Sequence, residues 1–381
     1  MRKTYLLTPG PTQIPPEVLS TQSRPIIHHR TKEYMVLFDR VNEDLKYLFQ
    51  TKNIVLTFAS SGTGAMESSV VNVLSPGDKV LYVESGKFGE RWGELCKAYG
   101  VQSIPIKVEW GDGVDPIMIE EYLRKDSAIK AVYTTLCETS TGVLTDIQAI
   151  GKIISRTSAL LVVDAISALG ACELRVDDWA IDLCVSGSQK GVMLPPGLAF
   201  VSVSEKAWKA TETSALPKYY WDFKNARKML GKSQTPFTPA VSLIVGLSEA
   251  LKMIREEGIE NIWKRHARLA EAVRSAVKAL GLKIFSKIPA NAVSAIEMPP
   301  GVDGEKVLAL MDKKFGIKVA EGQEHLKGKI IRIAHLGYVE TFDILASISA
   351  LEMSLSNVGY KVELGKGVKA AEEILCREEV P

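Results

Sequence analysis

The chain is poor in the features that announce several functional classes. Its five cysteines, Cys96, Cys137, Cys172, Cys184 and Cys376, are odd in number and irregularly spaced, and none forms Cys-x-x-Cys. A disulfide framework and a zinc site are therefore not indicated, and reduced thiols are expected. Five histidines include no His-Glu-x-x-His, which leaves a metallohydrolase without support, and no metal is expected. Neither sign of charge prevails: 47 Lys and Arg face 45 Asp and Glu, and no basic stripe or aromatic-basic patch gathers the small excess. That argues against nucleic acid or a membrane surface as partner. No apolar run approaches the ~20 residues of a membrane helix, and Pro9 arrives before an apolar leader core can develop. A cytoplasmic protein without internal repeats or low-complexity tracts is the expectation.

What the chain has is alternation. Short apolar runs at 54–58, 80–83, 103–106, 131–134, 160–163, 183–186 and 198–203 are separated by amphipathic stretches of helical length at 65–74, 89–99, 116–124 and 146–155. Several of the latter open with proline or aspartate, and Gly100 closes one. This pattern predicts an α/β fold with a mostly parallel sheet covered on both faces. A long helical pattern then runs from Val241 to Leu280 with a break at Glu257-Gly258. Strands near 292–297 and 330–334, helices at 304–315 and 340–355 and a short amphipathic tail after Gly365 read as a small α+β unit. The expected organisation is an N-terminal segment, 1–15, a large domain, 16–257, and a small domain, 258–381, in keeping with a length above that of one typical domain.

Five polar turns fall where predicted parallel strands end, the edge at which open α/β sheets bind ligands. Ser60-Ser61-Gly62-Thr63-Gly64 follows one strand and opens a helix, so N–H groups and hydroxyls converge as in an anion site, although neither a P-loop nor Gly-x-Gly-x-x-Gly is present. Phe88, in Ser85-Gly86-Lys87-Phe88-Gly89-Glu90-Arg91-Trp92, is an aromatic placed to lie against a planar ring. Thr139 belongs to the hydroxyl-rich turn 135–142. Asp164-Ala165-Ile166-Ser167 ends one buried run and Ser186-Gly187-Ser188-Gln189-Lys190-Gly191 the next. Each alone also reads as an ordinary cap, turn or surface lysine. A lysine amine that can form a Schiff base and an acid for a pyridine nitrogen are together what pyridoxal phosphate chemistry requires.

On these motifs the chain resembles the class V, fold type I, pyridoxal phosphate aminotransferases, and within them the alanine–glyoxylate and serine–pyruvate branch. The resemblance covers nearly the whole length and includes Thr8-Pro9-Gly10-Pro11-Thr12, Glu138-Thr139-Ser140-Thr141-Gly142-Val143 and Lys329-Ile330-Ile331-Arg332-Ile333. It implies Lys190 as the Schiff-base lysine and Asp164 as the pyridinium partner. Ser61, Gly62, Thr63 and Gln189 would hold the phosphate, Phe88 would stack on the ring in place of a tryptophan, and Thr139 would touch the ring hydroxyl region. Thr238, with Thr235, would reach the phosphate of a neighbouring subunit, and Arg332 would clamp the substrate α-carboxylate. The implied function is transfer of an amino group from alanine or serine to a 2-oxo acid such as glyoxylate or pyruvate, in a homodimer with shared sites.

Two rivals stay open: an aspartate-type aminotransferase and a cysteine desulfurase or related lyase on the same scaffold. Desulfurase-like relatives carry histidines where this chain has Gln189 and Phe88, and Cys376 lies close to the terminus. A non-catalytic binding protein is a third possibility, which retention of Lys190, Asp164, the anion loop and Arg332 disfavours.

Overall fold

The computed structural model describes residues 3–377, so the charged end expected for the tail falls largely outside the described residues. The chain begins with a short strand, β1 (Tyr5–Leu6), followed by helices α1 (Pro16–Gln22) and α2 (Lys32–Phe49). In α2 the Thr31 hydroxyl accepts a hydrogen bond from Tyr34 N, and Tyr34, Phe38, Val41, Leu45 and Leu48 recur at helical spacing as its buried stripe. Strands and helices then alternate: β2 (Ile54–Ser60), α3 (Gly62–Val71), β3 (Lys79–Glu84), α4 (Lys87–Ala98), β4 (Gln102–Lys107), α5 (Pro116–Lys125) and β5 (Ile129–Thr135). A tight hairpin, β6 (Cys137–Glu138) and β7 (Val143–Leu144), leads to α6 (Ile147–Ile154), β8 (Leu160–Asp164), β9 (Leu183–Gly187) and β10 (Gly197–Val203). Asp115 and Asp146 cap α5 and α6 through side-chain bonds from Ile117 N and Ala149 N.

Seven strands form one sheet in the order β2-β10-β9-β8-β5-β3-β4, with β10 antiparallel to both of its neighbours. The other pairings in it are parallel. Successive residues of the central strands feed different cores: Leu161 and Val163 pack with Ile150 and Ile154 on one face, Leu160 and Val162 with Met66 and Val70 on the other. Burial on both faces is why these strands read as unbroken apolar runs rather than alternating ones.

Helices α7 (Glu205–Thr213), α8 (Phe223–Leu230), α9 (Val241–Glu257) and α10 (Ile259–Ala279) follow. Gly258, at φ 83°, ends α9 and opens α10, which accounts for the break in the long helical pattern. The remaining elements are β11 (Lys283–Ile284), β12 (Val293–Glu297), α11 (Gly304–Leu310), β13 (Ile317–Lys318), β14 (Ala320–Glu321), β15 (Ile330–Ala334), α12 (Thr341–Asn357) and α13 (Lys366–Leu375). They build a four-stranded antiparallel sheet, β11-β12-β15-β14, over a third apolar cluster that includes Ile331, Ile333 and Leu351. β1 pairs in parallel with β13, and Leu7 joins the same cluster, so the N-terminal segment is tied to the far end of the chain.

Two helices differ from expectation in ways that bear on the site. α3 begins at Gly62 rather than Ala65, because Ser61 takes extended N-cap geometry, φ −87° and ψ 168°. The Ser-Gly-Thr-Gly run is therefore the first turn of a helix and not a loop before it. The helix expected over 304–315 ends as an α-helix at Leu310, and its last stretch, Met311–Phe315, is a π-helical turn closed by left-handed Gly316. Among the described residues no helix is long and apolar enough to cross a membrane.

Candidate active site

At the carboxyl edge of the large sheet lies a cavity. Eight residues singled out from the sequence line it: Ser61, Gly62 and Thr63 from the start of α3, Phe88 from α4, Thr139 from the β6–β7 turn, Asp164 from the end of β8, and Gln189 and Lys190 after β9. Parallel strands turning at one edge are what bring these distant segments together.

One corner is built for an anion. The first N–H groups of α3 have no intrahelical acceptor and carry the positive end of the helix dipole. Ser61 makes no capping bond with its own side chain. The turn after β9 approaches closely because Gly187 has no side chain; a Cβ there would stand 3.2 Å from Gly62 N and 2.9 Å from Gln189 Oε1. Gln189 Oε1 is buried without a hydrogen-bond partner.

Asp164 and Lys190 are 3 % and 9 % exposed, and both are displaced from ordinary titration behaviour. Burial pushes the Asp164 carboxyl up to about 7, against a 2.7 Å bond from Ile166 N that favours its charged form. Burial likewise brings the Lys190 ammonium down to about 8, opposed by the Asp164 charge. A lysine in this range is part neutral near pH 7 and can act as base or nucleophile. The N-terminal segment straps this lysine in place: its Nζ donates to Pro9 O, and Thr12 Oγ1 donates to Lys190 O at 3.0 Å. Gly10, at φ 121°, is the residue that allows so close an approach, since a Cβ there would lie 2.4 Å from Lys190 Cε.

The turns are joined by a carboxylate. Glu138 is wholly buried and accepts from Phe88 N at 3.2 Å, Gly89 N at 2.9 Å, Ser140 N at 3.1 Å and Ser140 Oγ at 2.5 Å. Two of these donors are orphan N–H groups in the first turn of α4, so the charge also meets a helix dipole. Burial still holds its carboxyl above the usual range, with the hydrogen bonds opposing the shift. Gly86 leaves room for it, a Cβ there falling 2.4 Å from Glu138 Cδ.

Arg332, on β15, is 6 % exposed and donates to Thr139 O at 2.8 Å and Glu321 O at 2.9 Å, with burial lowering its pKa to about 10. The small sheet is thereby bonded to a residue of the cavity, and the guanidinium forms no ion pair among the described residues. The Thr139 and Ser167 hydroxyls share a 2.6 Å bond. Thr235 and Thr238 stand apart: they line a separate recess with Tyr220 and Phe237, where Thr235 Oγ1 donates to Phe237 O at 2.7 Å. One chain therefore does not bring them to its own Lys190.

Sequence reasoning gave no part to Glu138, Arg91, Ser167 or the Pro9–Thr12 strap. Arg91 lines the cavity, donates to Thr63 Oγ1 at 3.2 Å and lies 5.0 Å from the Phe88 ring centroid. Its position one turn after Phe88 in a predicted helix was a usable signal, because residues three apart share a face.

Residues 4–339 match the aminotransferase class-V family model. The chain is 46% identical to the soluble hydrogenase small subunit of Synechococcus sp., over 98% of each chain. It is 38% identical to the serine–glyoxylate aminotransferase of Methylorubrum extorquens, covering 98% of this chain and 96% of that one. Among solved structures, ureidoglycine–glyoxylate aminotransferase from Bacillus subtilis superposes with a TM-score of 0.94 at 30% identity, covering 98% of both chains. With its mostly parallel sheet, its smaller antiparallel sheet and a buried lysine beside a buried aspartate, this chain belongs to the class-V aminotransferase family.

Proposed function

We propose that the chain is a pyridoxal phosphate-dependent transaminase that moves the amino group of a small amino acid, serine or alanine, to glyoxylate or a related 2-oxo acid by a ping-pong route. The observation that carries this is the burial of Lys190 and Asp164 in one cavity that also presents an anion corner. The residues fit the group: an amine for its aldehyde, an acid for its ring nitrogen, and for its phosphate the unspent N–H donors of α3, with the Gln189 side chain, whose NH2 can donate, lining the same cavity. When bound, pyridoxal phosphate supplies a ring that withdraws electrons from the substrate Cα.

The chain's residues supply the rest. Lys190 Nζ takes the proton from the substrate Cα, a task its depressed pKa favours. Asp164 keeps the pyridine nitrogen protonated, and Phe88 stacks on the ring while Thr139 lies by its hydroxyl. Ser61, Gly62, Thr63 and Gln189 hold the phosphate. Arg332 offers its planar fork to the α-carboxylate. Thr235 and Thr238, remote from the Lys190 of their own chain, serve the phosphate of a second copy. The Synechococcus relative is named for a hydrogenase. Among the described residues no group of three or more His, Cys, Asp or Glu is arranged to hold a metal, and the chemistry this chain gathers is that of amino transfer. Glyoxylate is favoured as acceptor because the Methylorubrum and Bacillus proteins share it in their names while differing in the donor.

The test is transfer of ¹⁵N from labelled serine, alanine or aspartate to glyoxylate by the cofactor-loaded protein. Labelled glycine from serine or alanine is expected. Label from aspartate alone would move the assignment to the aspartate-type reaction, and sulfide release from cysteine without labelled glycine would move it to a desulfurase.

Two further results follow from the strap and the lysine. The rate at which cofactor-free protein captures pyridoxal phosphate should rise with pH through about 8, where Lys190 loses its proton, and not above 10 as for an ordinary lysine; stopped-flow absorbance reads it directly. Gly10→Ala should weaken that capture by about tenfold or more, since strain of ~1–3 kcal/mol enters at a positive φ against the lysine stem. Capture at the wild-type level in that variant would remove the strap from the account.

A further inference from the structure

Arg91 is a cation without an ion-pair partner among the described residues. Its hydrogen bond goes to the neutral Thr63 hydroxyl at 3.2 Å, and its guanidinium lies 5.0 Å from the Phe88 ring centroid. Glu90 pairs with Lys87 at 3.2 Å, Glu138 is saturated by Phe88 N, Gly89 N and Ser140, and Asp164, whose carboxyl the Arg91 charge favours in its ionised form, makes no ion pair with it. Among the described residues Arg91 has no ion-pair partner, yet it lines the same cavity as Ser61, Gly62, Thr63 and Gln189. The half-buried guanidinium thus stands at the cavity wall with its charge available to a ligand anion.

The anion corner is short of positive charge. A phosphate monoester carries about −1.5 to −2 at pH 7, and the start of one helix offers roughly +0.5. Ser61, Thr63 and Gln189 donate hydrogen bonds without charge. Besides Lys190, which the cofactor aldehyde would consume, Arg91 is the cation lining the cavity. Its bond to Thr63 Oγ1 sets it on the α3 side, next to the unspent N–H donors.

We propose that Arg91 is the cationic phosphate-binding residue of this site, pairing with the cofactor phosphate from the α4 side while the first turn of α3 and Gln189 take its remaining oxygens. This rests on the pyridoxal phosphate reading given above. Arg91 thereby makes cofactor affinity depend on the phosphate group, and Phe88, on the same helix face, is aligned for the ring by the same turn.

The experiment compares two probes that differ only in that group. Cofactor-free wild type, Arg91→Gln and Arg91→Lys are titrated with pyridoxal phosphate and with pyridoxal, following visible absorbance at the bound lysine and quenching of tryptophan fluorescence. Loss of one charge-assisted bond predicts that Arg91→Gln raises the Kd for pyridoxal phosphate about 10–100-fold. Its Kd for pyridoxal should stay within about twofold, and Arg91→Lys should fall between. Inorganic phosphate should compete with the cofactor in wild type and only weakly in Arg91→Gln. Equal weakening toward both probes would overturn the proposal and leave Arg91 a support for Thr63 and Phe88. Unchanged affinity for both, with a raised KM for aspartate, would overturn it in favour of a second substrate carboxylate. Wild type that binds neither probe would instead overturn the cofactor reading itself. Should Arg91→Gln fail to fold, the ratio of the two Kd values in Arg91→Lys still decides.

Discussion

Lys190→Ala is expected to lower the rate of amino transfer by at least about 10²–10⁴-fold, the usual contribution of a positioned proton-transfer group. The argument is one of position and desolvation. Burial brings the lysine to about 8, so near neutrality it supplies a free amine where a surface lysine supplies almost none. Among the described residues no other lysine lines the cavity; Lys87, on the neighbouring turn, is held in ion pairs with Glu90 and Glu324 at 3.2 Å. The variant should retain part of its cofactor affinity, because the anion corner and Asp164 remain. Glycine formation measured alongside cofactor binding separates the two effects, and partial rescue by a small added amine would show that the missing function is the amine itself.

The largest effect on stability is expected at Glu138, outside the set of residues that meets substrate. Glu138→Ala removes the acceptor of four hydrogen bonds and strands Phe88 N, Gly89 N and Ser140 N away from water. Unsatisfied buried donors cost about 1–3 kcal/mol each, and three backbone N–H groups lose their acceptor here. A loss of roughly 3–5 kcal/mol in denaturant unfolding is therefore predicted, with Glu138→Gln losing less because one amide oxygen can still accept. Loss of the acceptor also frees the turn that carries Phe88 and shifts Thr139 O, the partner of Arg332. Weaker substrate binding should accompany the loss of stability. A variant as stable as wild type would mean that water replaces the carboxylate, and Glu138 would then be no keystone of the two turns.

The α/β class and the strands of the large sheet were legible because burial on both faces leaves apolar runs of characteristic length; Asp164 ends one such strand, and Gln189 and Lys190 lie in the turn after the next. Helix α2 was equally legible in principle, from Thr31 and the spacing Tyr34, Phe38, Val41, Leu45 and Leu48, but strand–helix alternation carries no information about a helix that precedes the first strand of the sheet. The start of α3 was placed late because glycine and serine read as loop, whereas here they are the first helical turn and their unspent N–H groups are the point. The strap over Lys190 and the clasp of Glu138 on α4 could not be read from one segment, since each depends on contacts between residues far apart in the chain. Arg332 was singled out through a motif, but its bond to Thr139 O depends on β15 packing against the β6–β7 turn.

The central claim, that Lys190 is the chemical centre of an aminotransferase site, is tested most directly by borohydride reduction of the pyridoxal phosphate-loaded protein followed by peptide mass mapping. A single pyridoxyl label on the peptide containing Lys190 is predicted, absent from Lys190→Ala. Label on another lysine, or none in a protein that has taken up the cofactor, would contradict the account.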